Sequence, residues 1–250
     1  MLSLLLSVIG VLATLGLAGL AVVGKALTRA AGAVAAAFGI VIVIEAGFPY
    51  LALLVLFVGA SSIATHYHFE EKRGRNVQEG TAGERGVSNV VSHIVIPTGL
   101  ALAGGVGFGS PALIALLFAS ALAFGAADTF ASEFGVLAGK ARSILTFRPV
   151  LPGTNGGVSG PGQVFAVAGA VGTAVVALVL FVLFRSPVGS VPLFLFIVGA
   201  AGFLGCQVDS VLGETLENRG YLTKGSTNLL GMLSSVTIAM LFVLAFRGTL

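Results

Sequence analysis

Charge in this chain is confined to a few short islands, and that distribution constrains the fold more than any other feature. Asp, Glu, Lys and Arg make up only 9% of the 250 residues. Between the islands run apolar stretches of the length that crosses a bilayer, about 20 residues. The stretches are 2–23, 30–44, 48–65, 87–106, 111–127, 164–184, 191–212 and 227–246. The second is short enough to be re-entrant. The expected fold class is all-α: a polytopic integral membrane helical bundle of about eight transmembrane helices. We expect one integral membrane domain over 1–250, with three N-terminal spans and a loop in 1–86 and the motif-bearing core in 87–250.

A mean hydropathy of +1.06 leaves no polar coat for a soluble core of this size. The first apolar stretch has no Lys or Arg before it and exceeds the apolar core of a signal peptide, so it is expected to be a retained span. Glycine, at 36 residues, is about twice its usual share of roughly 7%. Without a collagen-like period, that points to close helix–helix contacts in lipid. The lone Cys206 excludes a disulfide within the chain and a cysteine-based zinc site. The pI of 9.4 belongs to the basic islands. No basic run is interleaved with aromatics, so no nucleic-acid partner is expected.

The islands alternate in character. If both termini share one side, the loops holding Lys25, Arg29, Lys72, Arg73, Arg75, Arg85, Lys140, Arg142, Arg148, Arg219 and Lys224 share the other. Only Arg185 and Arg247 remain with the termini. Lys/Arg bias sets orientation, so the richer loops are expected in the cytoplasm, with both termini opposite and the cell membrane as host. All acids but Glu45 lie on the basic side or at the adjoining helix ends.

Two of those acidic segments look alike. Asp128-Thr129-Phe130-Ala131-Ser132-Glu133 ends the fifth span, and Asp209-Ser210-Val211-Leu212-Gly213-Glu214 ends the seventh. Both read D-[ST]-x-x-x-E, both follow small residues, and each is followed by a basic residue and then Thr-Asn, at Thr154-Asn155 and Thr227-Asn228. Two spans separate them, which suggests a parallel internal repeat with a site at the repeat interface. Ionisable groups near the hydrocarbon cost about 2.5–3.5 kcal/mol on insertion scales, so such acids usually have a function. Residues five apart lie about 140° apart on a continuous helix, so Asp and Glu of one motif share an ion only if the helix loosens. Gly213 and the Ala131-Ser132 pair would permit that. Carboxylates of this kind suit Mg²⁺ held together with phosphates; Asp128, Glu133, Asp209 and Glu214 are the candidate ligands. Any one of them has an architectural alternative, as a helix cap or a partner of Arg219, Lys140 or Arg142.

A third segment, 152–162, carries five glycines and runs into the sixth span. Glycines allow positive φ and expose backbone N–H groups, and a helix N-terminus nearby favours anions. Gly153, Thr154, Asn155, Gly156, Gly157 and Ser159, with Lys140 and Arg148 upstream and Lys224 and Asn228 downstream, are candidate phosphate or nucleotide ligands. The segment is neither a Walker loop nor a dinucleotide fingerprint; its plain alternative is a flexible connector. A fourth feature is Arg85, Asn89 and His93, spaced i, i+4, i+8, a polar stripe entering the fourth span. Such a stripe faces protein or water rather than acyl chains.

The order R-x-x-x-N…DTFASEFG…LPGTNGGVSGPG…VDSVLGETLENRG…TKGSTNLLG resembles the transmembrane protein 19-like family of polytopic proteins, whose plant member is a phytyl-phosphate kinase. The resemblance runs from about Lys25 to the C-terminus. It implies phosphoryl transfer from a nucleoside triphosphate, CTP by preference, to an isoprenyl monophosphate. The motif positions carried over are Asp128, Thr129, Glu133, Gly153, Thr154, Gly156, Gly157, Asp209 and Asn228. More distantly, the layout is similar to CTP-dependent polyprenol kinases and CDP-lipid synthases.

The expectation is thus a membrane-embedded, Mg²⁺-dependent phosphotransferase with Asp128, Glu133, Asp209 and Lys140 in the catalytic set. Its partners would be CTP or another nucleoside triphosphate, an isoprenyl phosphate and, in a homodimer, a second copy of the chain. A lipid cytidylyltransferase would use similar ligands. A secondary transporter would place its acids near the bilayer midplane, whereas these lie at span ends.

Overall fold

The computed structural model describes residues 2–246, with side chains from Val8 onward. Among the described residues nine α-helices follow one another: α1 (Leu2–Val23), α2 (Arg29–Glu45), α3 (Phe48–His66), α4 (Phe69–Gly74), α5 (Val87–Gly105), α6 (Pro111–Gly135), α7 (Gly160–Leu183), α8 (Val191–Leu212) and α9 (Lys224–Ala245). Sequence-level start signals explain several of these boundaries. Thr28, Ser110 and Ser159 cap α2, α6 and α7 through their hydroxyls, and Pro111 and Pro161 occupy first-turn positions where no N–H is needed. Thr223 and Ser226 form a reciprocal capping box at α9.

Among the described residues, six helices are long and apolar enough to cross a membrane: α3, α5, α6, α7, α8 and α9. The expected eight crossings therefore meet six by length and composition. The described side chains of α1 give a shorter apolar stretch, Val8–Val23, and α2 has 17 residues, about 26 Å of helix against a hydrocarbon core of about 30 Å. The segment read as short enough to re-enter is α2. It is one continuous helix, tied at its start to the loop before α5, where Thr28 N–H donates to the Arg85 carbonyl, and at its end to Gly105, which lies against Glu45.

Helix α6 forms the axis, with 83% of its span buried. Helices α3, α5, α7, α8 and α9 surround it, while α2 packs on α5 and α1 on α2. Small residues set the spacing. A Cβ on Gly169 of α7 would lie 2.7 Å from the Ala126 carbonyl oxygen; one on Gly202 of α8 would lie 2.7 Å from Ala123 Cβ. One on Gly231 of α9 would lie 2.6 Å from the Phe124 ring. The high glycine content thus serves close packing of helices, as expected for a bundle in lipid.

Contacts between connections divide the molecule into two ends. Leu27 pairs with Arg85, so the α1–α2 turn and the 67–86 loop share an end. The 136–159 and 213–223 connections join them around one cleft. At the opposite end, Phe48 meets Phe184, next to Arg185. Eleven basic residues therefore lie at one end, as the sequence partition required. Arg247 lies outside the described residues.

Besides the Leu27–Arg85 bridge, the described residues depart from all-α character in a small antiparallel sheet in the connection after α6. Strands β1 (Ala141–Ser143), β2 (Pro149–Val150) and β3 (Gly157–Val158) run in the order β2-β1-β3, with Ala141 opposite Val150 and Arg142 opposite Val158. This sheet stiffens the glycine-rich segment.

Candidate functional site

A polar cleft of about 290 Å³ opens at the basic end. Its walls come from the last turns of α6 and α8, the start of α9, residues 76–79 of the α4–α5 loop and the glycine segment. The two D-[ST]-x-x-x-E motifs meet here, and each divides its labour in the same way.

Asp128 from α6 and Asp209 from α8 both line the cleft, and neither has a hydrogen bond or ion pair among the described residues. Oδ1 of Asp209 is buried without any partner. The two glutamates are engaged elsewhere. Glu133 borders the cleft, but its Oε2 is held by Lys72 Nζ at 2.7 Å and its Oε1 accepts from Thr65 Oγ1 at 2.8 Å. Lys72 is fully buried and also donates to the carbonyls of Ala64 and Thr65, at 2.8 and 3.2 Å, so all three of its protons are used. Glu214 accepts from Ser143 Oγ at 2.6 Å and from the Leu145 N–H at 3.3 Å, tying the small sheet to α8. Helix geometry sets positions five apart about 140° apart, so the two carboxylates of one motif point different ways and find different partners.

Beyond Gly213 the helix does loosen, into a π-turn over Gly213–Glu217. Wider i→i+5 turns advance fewer degrees per residue, which swings Glu217 back toward the face of Asp209. Glu217 therefore lines the cleft, where it accepts from Asn155 Nδ2 at 3.1 Å.

The glycine segment forms the roof. Gly153 and Gly156 adopt φ of +85° and +75°, where a side chain is strained. Gly156 also lies directly against Glu214 and the Ser210 carbonyl. Gly157 does not share this conformation: it sits in β3, where an added Cβ would approach the Thr154 carbonyl oxygen at 2.9 Å. Thr154 and Asn155 are exposed on the roof. Ser159 Oγ is occupied as the α7 cap, accepting from Gly162 N–H, and donates to the Gly135 carbonyl.

On the α9 side, Lys224 Nζ bonds Glu79 Oε2 at 2.8 Å. Burial alone would raise the Glu79 pKa; the Lys224 charge and hydrogen bond, with help from Arg85, more than offset it and hold Glu79 below its ordinary value. Asn228 is buried, lines the cleft and makes no hydrogen bond through its side chain among the described residues.

A second cavity, about 410 Å³ and largely apolar, lies between α1, α2, α3 and α5. Arg85, Asn89 and His93 all line it, so the polar stripe faces protein rather than lipid. The Arg85 guanidinium reaches α6, with Nη2 at 3.5 Å from both Thr65 Oγ1 and Thr129 Oγ1. Burial pushes the Arg85 pKa down from its ordinary guanidinium value, against the opposing charges of Glu79, Glu133 and Asp128. The stripe thus stands between the two cavities.

A family model for integral membrane proteins, DUF92, matches residues 12–239. The chain belongs to that family. An uncharacterized membrane protein of Methanocaldococcus jannaschii is 30% identical over 204 residues, covering 81% of this chain and 80% of that protein. Protein PGR of Arabidopsis thaliana is 30% identical over 193 residues, covering 70% of this DUF92 chain and 67% of its own. An uncharacterized membrane protein of a Synechocystis strain is 29% identical over 202 residues, 76% of this chain and 72% of that one. No solved structure matches the chain. The DUF92 match makes this an integral membrane protein.

Several expected site residues stand apart in the DUF92 structure. Lys140 and Arg148 are exposed and do not line the cleft. Arg142 donates to the Phe147 carbonyl within its own hairpin. None of the partners expected for the glutamates is used; the cation of Glu133 is Lys72, from α4. Glu79, Glu217 and Lys72 were not singled out from sequence. Glu217 had a cue, the π-permissive glycine four residues before it. Lys72 had none, because only the docking of α4 under α6 brings it to Glu133. No group of three or more His, Cys, Asp or Glu among the described residues is placed to hold a metal. Two carboxylates with substrate phosphates remain an ordinary Mg²⁺ arrangement.

Proposed function

We propose that this DUF92 protein is a Mg²⁺-dependent phosphotransferase that moves the γ-phosphoryl group of CTP, or another nucleoside triphosphate, to an isoprenyl monophosphate. The observation that carries the reading is the pair Asp128 and Asp209: two carboxylates from separate helices in one cleft, neither with a partner among the described residues, one with an oxygen buried and unbonded. Such an oxygen is costly unless something fills its place. Asp128 and Asp209 would hold Mg²⁺, which neutralises charge on the triphosphate and on the transferring group.

The remaining groups position the reactants. Backbone N–H groups around Gly153 and Gly156 offer the cradle for phosphates, with Lys224 and the unpartnered Asn228 amide opposite. Lys224 would exchange Glu79 for phosphate as the nucleotide enters. An oxygen of the acceptor phosphate attacks the γ-phosphorus; the bond to the β–γ bridging oxygen breaks, and the nucleoside diphosphate leaves with its electron pair. The acceptor is already anionic, so no strong general base is needed, and catalysis is positioning and charge neutralisation. A soluble donor requires the cleft to face the cytoplasm, which the basic loops favour.

The test is to incubate purified protein in lipid nanodiscs with CTP, Mg²⁺ and a panel of isoprenyl alcohols and monophosphates. The expected products are an isoprenyl diphosphate and CDP. Release of pyrophosphate with a CDP-lipid would replace this reading with cytidylyl transfer. No product with any nucleoside triphosphate across the panel would overturn it.

A further inference from the structure

We propose that the apolar cavity between α1, α2, α3 and α5 is the tail site of a single-chain lipid phosphomonoester, whose head sits between Arg85 and His93 at the rim of the polar cleft. The assignment of that head as a phosphoryl acceptor rests on the phosphotransfer reading; the binding site itself does not.

Shape argues for one chain. The cavity follows α3 from Leu51 to Ile63. That is about 18 Å of helix at 1.5 Å per residue, slightly more than the depth of one leaflet, about 15 Å. Its volume of about 410 Å³ is that of a pocket for one slender ligand. Away from the basic end the lining is apolar, and the Thr14 hydroxyl there is already bonded to the Gly10 carbonyl.

Chemistry at the basic end argues for a phosphomonoester. Arg85 is 7% exposed and His93 4%, and Nε of the first and Nε2 of the second are buried without partners. The Asn89 carbonyl lies 2.8 Å from His93 Nδ1 and can only accept, so Nδ1 carries the proton. Nε2 of the neutral ring is then a bare acceptor, while Arg85 Nε–H is a bare cationic donor. A phosphomonoester monoanion satisfies both, with a charged oxygen for Arg85 and a P–OH for His93. A phosphodiester has no P–OH, and an ionised fatty acid has neither a hydroxyl nor the reach.

Both groups border the same stretch of α6. The Arg85 guanidinium is at Thr129, and the His93 ring lies against Gly125, where a Cβ would approach its Cδ2 at 3.2 Å. Those α6 positions are one turn apart, about 6 Å. Arg85 and His93 both line the cavity at this end, and a tetrahedral phosphate offers oxygens on more than one side. Thr129 follows Asp128 directly, so a head held here is presented to the cleft.

The experiment measures binding to the full-length protein, without nucleotide, by native mass spectrometry and thermal shift. The probes are geranylgeranyl monophosphate and hexadecyl phosphate, which distinguish prenyl from straight-chain sources, with hexadecanol and dioleoyl phosphatidic acid as controls. Gly59→Phe fills the cavity, because a Cβ at Gly59 meets nothing within 4 Å. One equivalent of a single-chain phosphate should bind, at least about tenfold more tightly than hexadecanol or the two-chain lipid. Gly59→Phe should weaken it by a similar factor without lowering the melting temperature, and Arg85→Gln should erase the preference for phosphate over alcohol. Equal binding of alcohol and phosphate, or unchanged binding by Gly59→Phe, overturns the proposal. Turnover with an unaltered KM in Gly59→Phe overturns it while sparing the phosphotransfer reading. Binding as described, without phosphoryl transfer, upholds it and overturns that reading.

Discussion

The loop ends of α6 and α8 carry the same D-[ST]-x-x-x-E pattern and use its two acids alike, but they close differently. On α6, Glu133 is locked by a fully buried lysine and a threonine, and the helix stays regular through Gly135. On α8, Glu214 holds a hydroxyl and an amide of a surface hairpin, and the helix opens into a π-turn. Each Asp faces the cleft, and each Glu fixes a neighbour. The α6 end is therefore tied to a buried ion pair, while the α8 end is tied to the hairpin that carries the glycine roof.

The sharpest separation is between the aspartates and the glutamates. Asp128→Asn and Asp209→Asn should each lower turnover by roughly a hundredfold to a thousandfold, the scale of losing a group that stabilises transition-state charge. Their melting temperatures should stay near that of the parent, since neither carboxylate bonds to protein. Near-normal turnover across a Mg²⁺ titration in both variants would remove the metal assignment.

Glu133→Ala leaves Lys72 charged and buried, and should cost about 3–5 kcal/mol of stability. Glu214→Ala loses two hydrogen bonds near the surface and should cost less, about 1–2 kcal/mol, and act mainly on nucleotide KM. Replacing both members of the buried pair, as Lys72→Met with Glu133→Leu, should recover most of the first loss. Chemical denaturation in detergent ranks the variants; equal costs at Glu133 and Glu214 would erase the contrast between the two walls.

The roof offers a finer test. Gly156→Ala forces a side chain into positive φ against Glu214 and should cost about 1–2 kcal/mol and raise nucleotide KM. Gly157→Ala meets a steric limit only and should cost less. Gly160→Ala, with open space around it at the start of α7, should be neutral. Three indistinguishable variants would reduce the roof to a connector.

The smallest effect belongs to Glu79–Lys224. Glu79's pKa is depressed in the folded protein, so its contribution is complete above the unfolded carboxylate value, about 4.3. It disappears as pH falls through the lower folded value. With Lys224 facing solvent, the pair should contribute under about 1 kcal/mol. Melting curves of the parent and Glu79→Gln should differ by a constant amount from pH 7 to about 5 and converge as pH falls through the lower folded value. A gap that widens on acidification would contradict the assignment.

Much of the architecture is legible in the chain itself. Apolar run length marks a membrane helix because an unpaired backbone cannot sit in hydrocarbon, and Lys/Arg placement sorts connections into two ends. The span limits of α3, α5, α7, α8 and α9 follow the runs closely. The count differs: α2 reads as too short to cross, and the structure shows it as one continuous helix packed along α5. The small sheet was hidden because its two- and three-residue strands are too brief to show a period-2 pattern.

In the site, the sequence by itself determined which residue types gather at one end: the paired acids, the glycine segment, Lys224, Asn228 and the Arg85 stripe. Hydropathy and helical spacing suffice for that, being local properties of the chain. Only the tertiary structure decided which acid of each motif is available to a ligand. That outcome depends on neighbours distant in sequence, with Lys72 arriving 61 residues before Glu133 and Ser143 71 residues before Glu214. A buried carboxylate takes its role from the partner that satisfies it, and no periodicity in the chain encodes which partner that is.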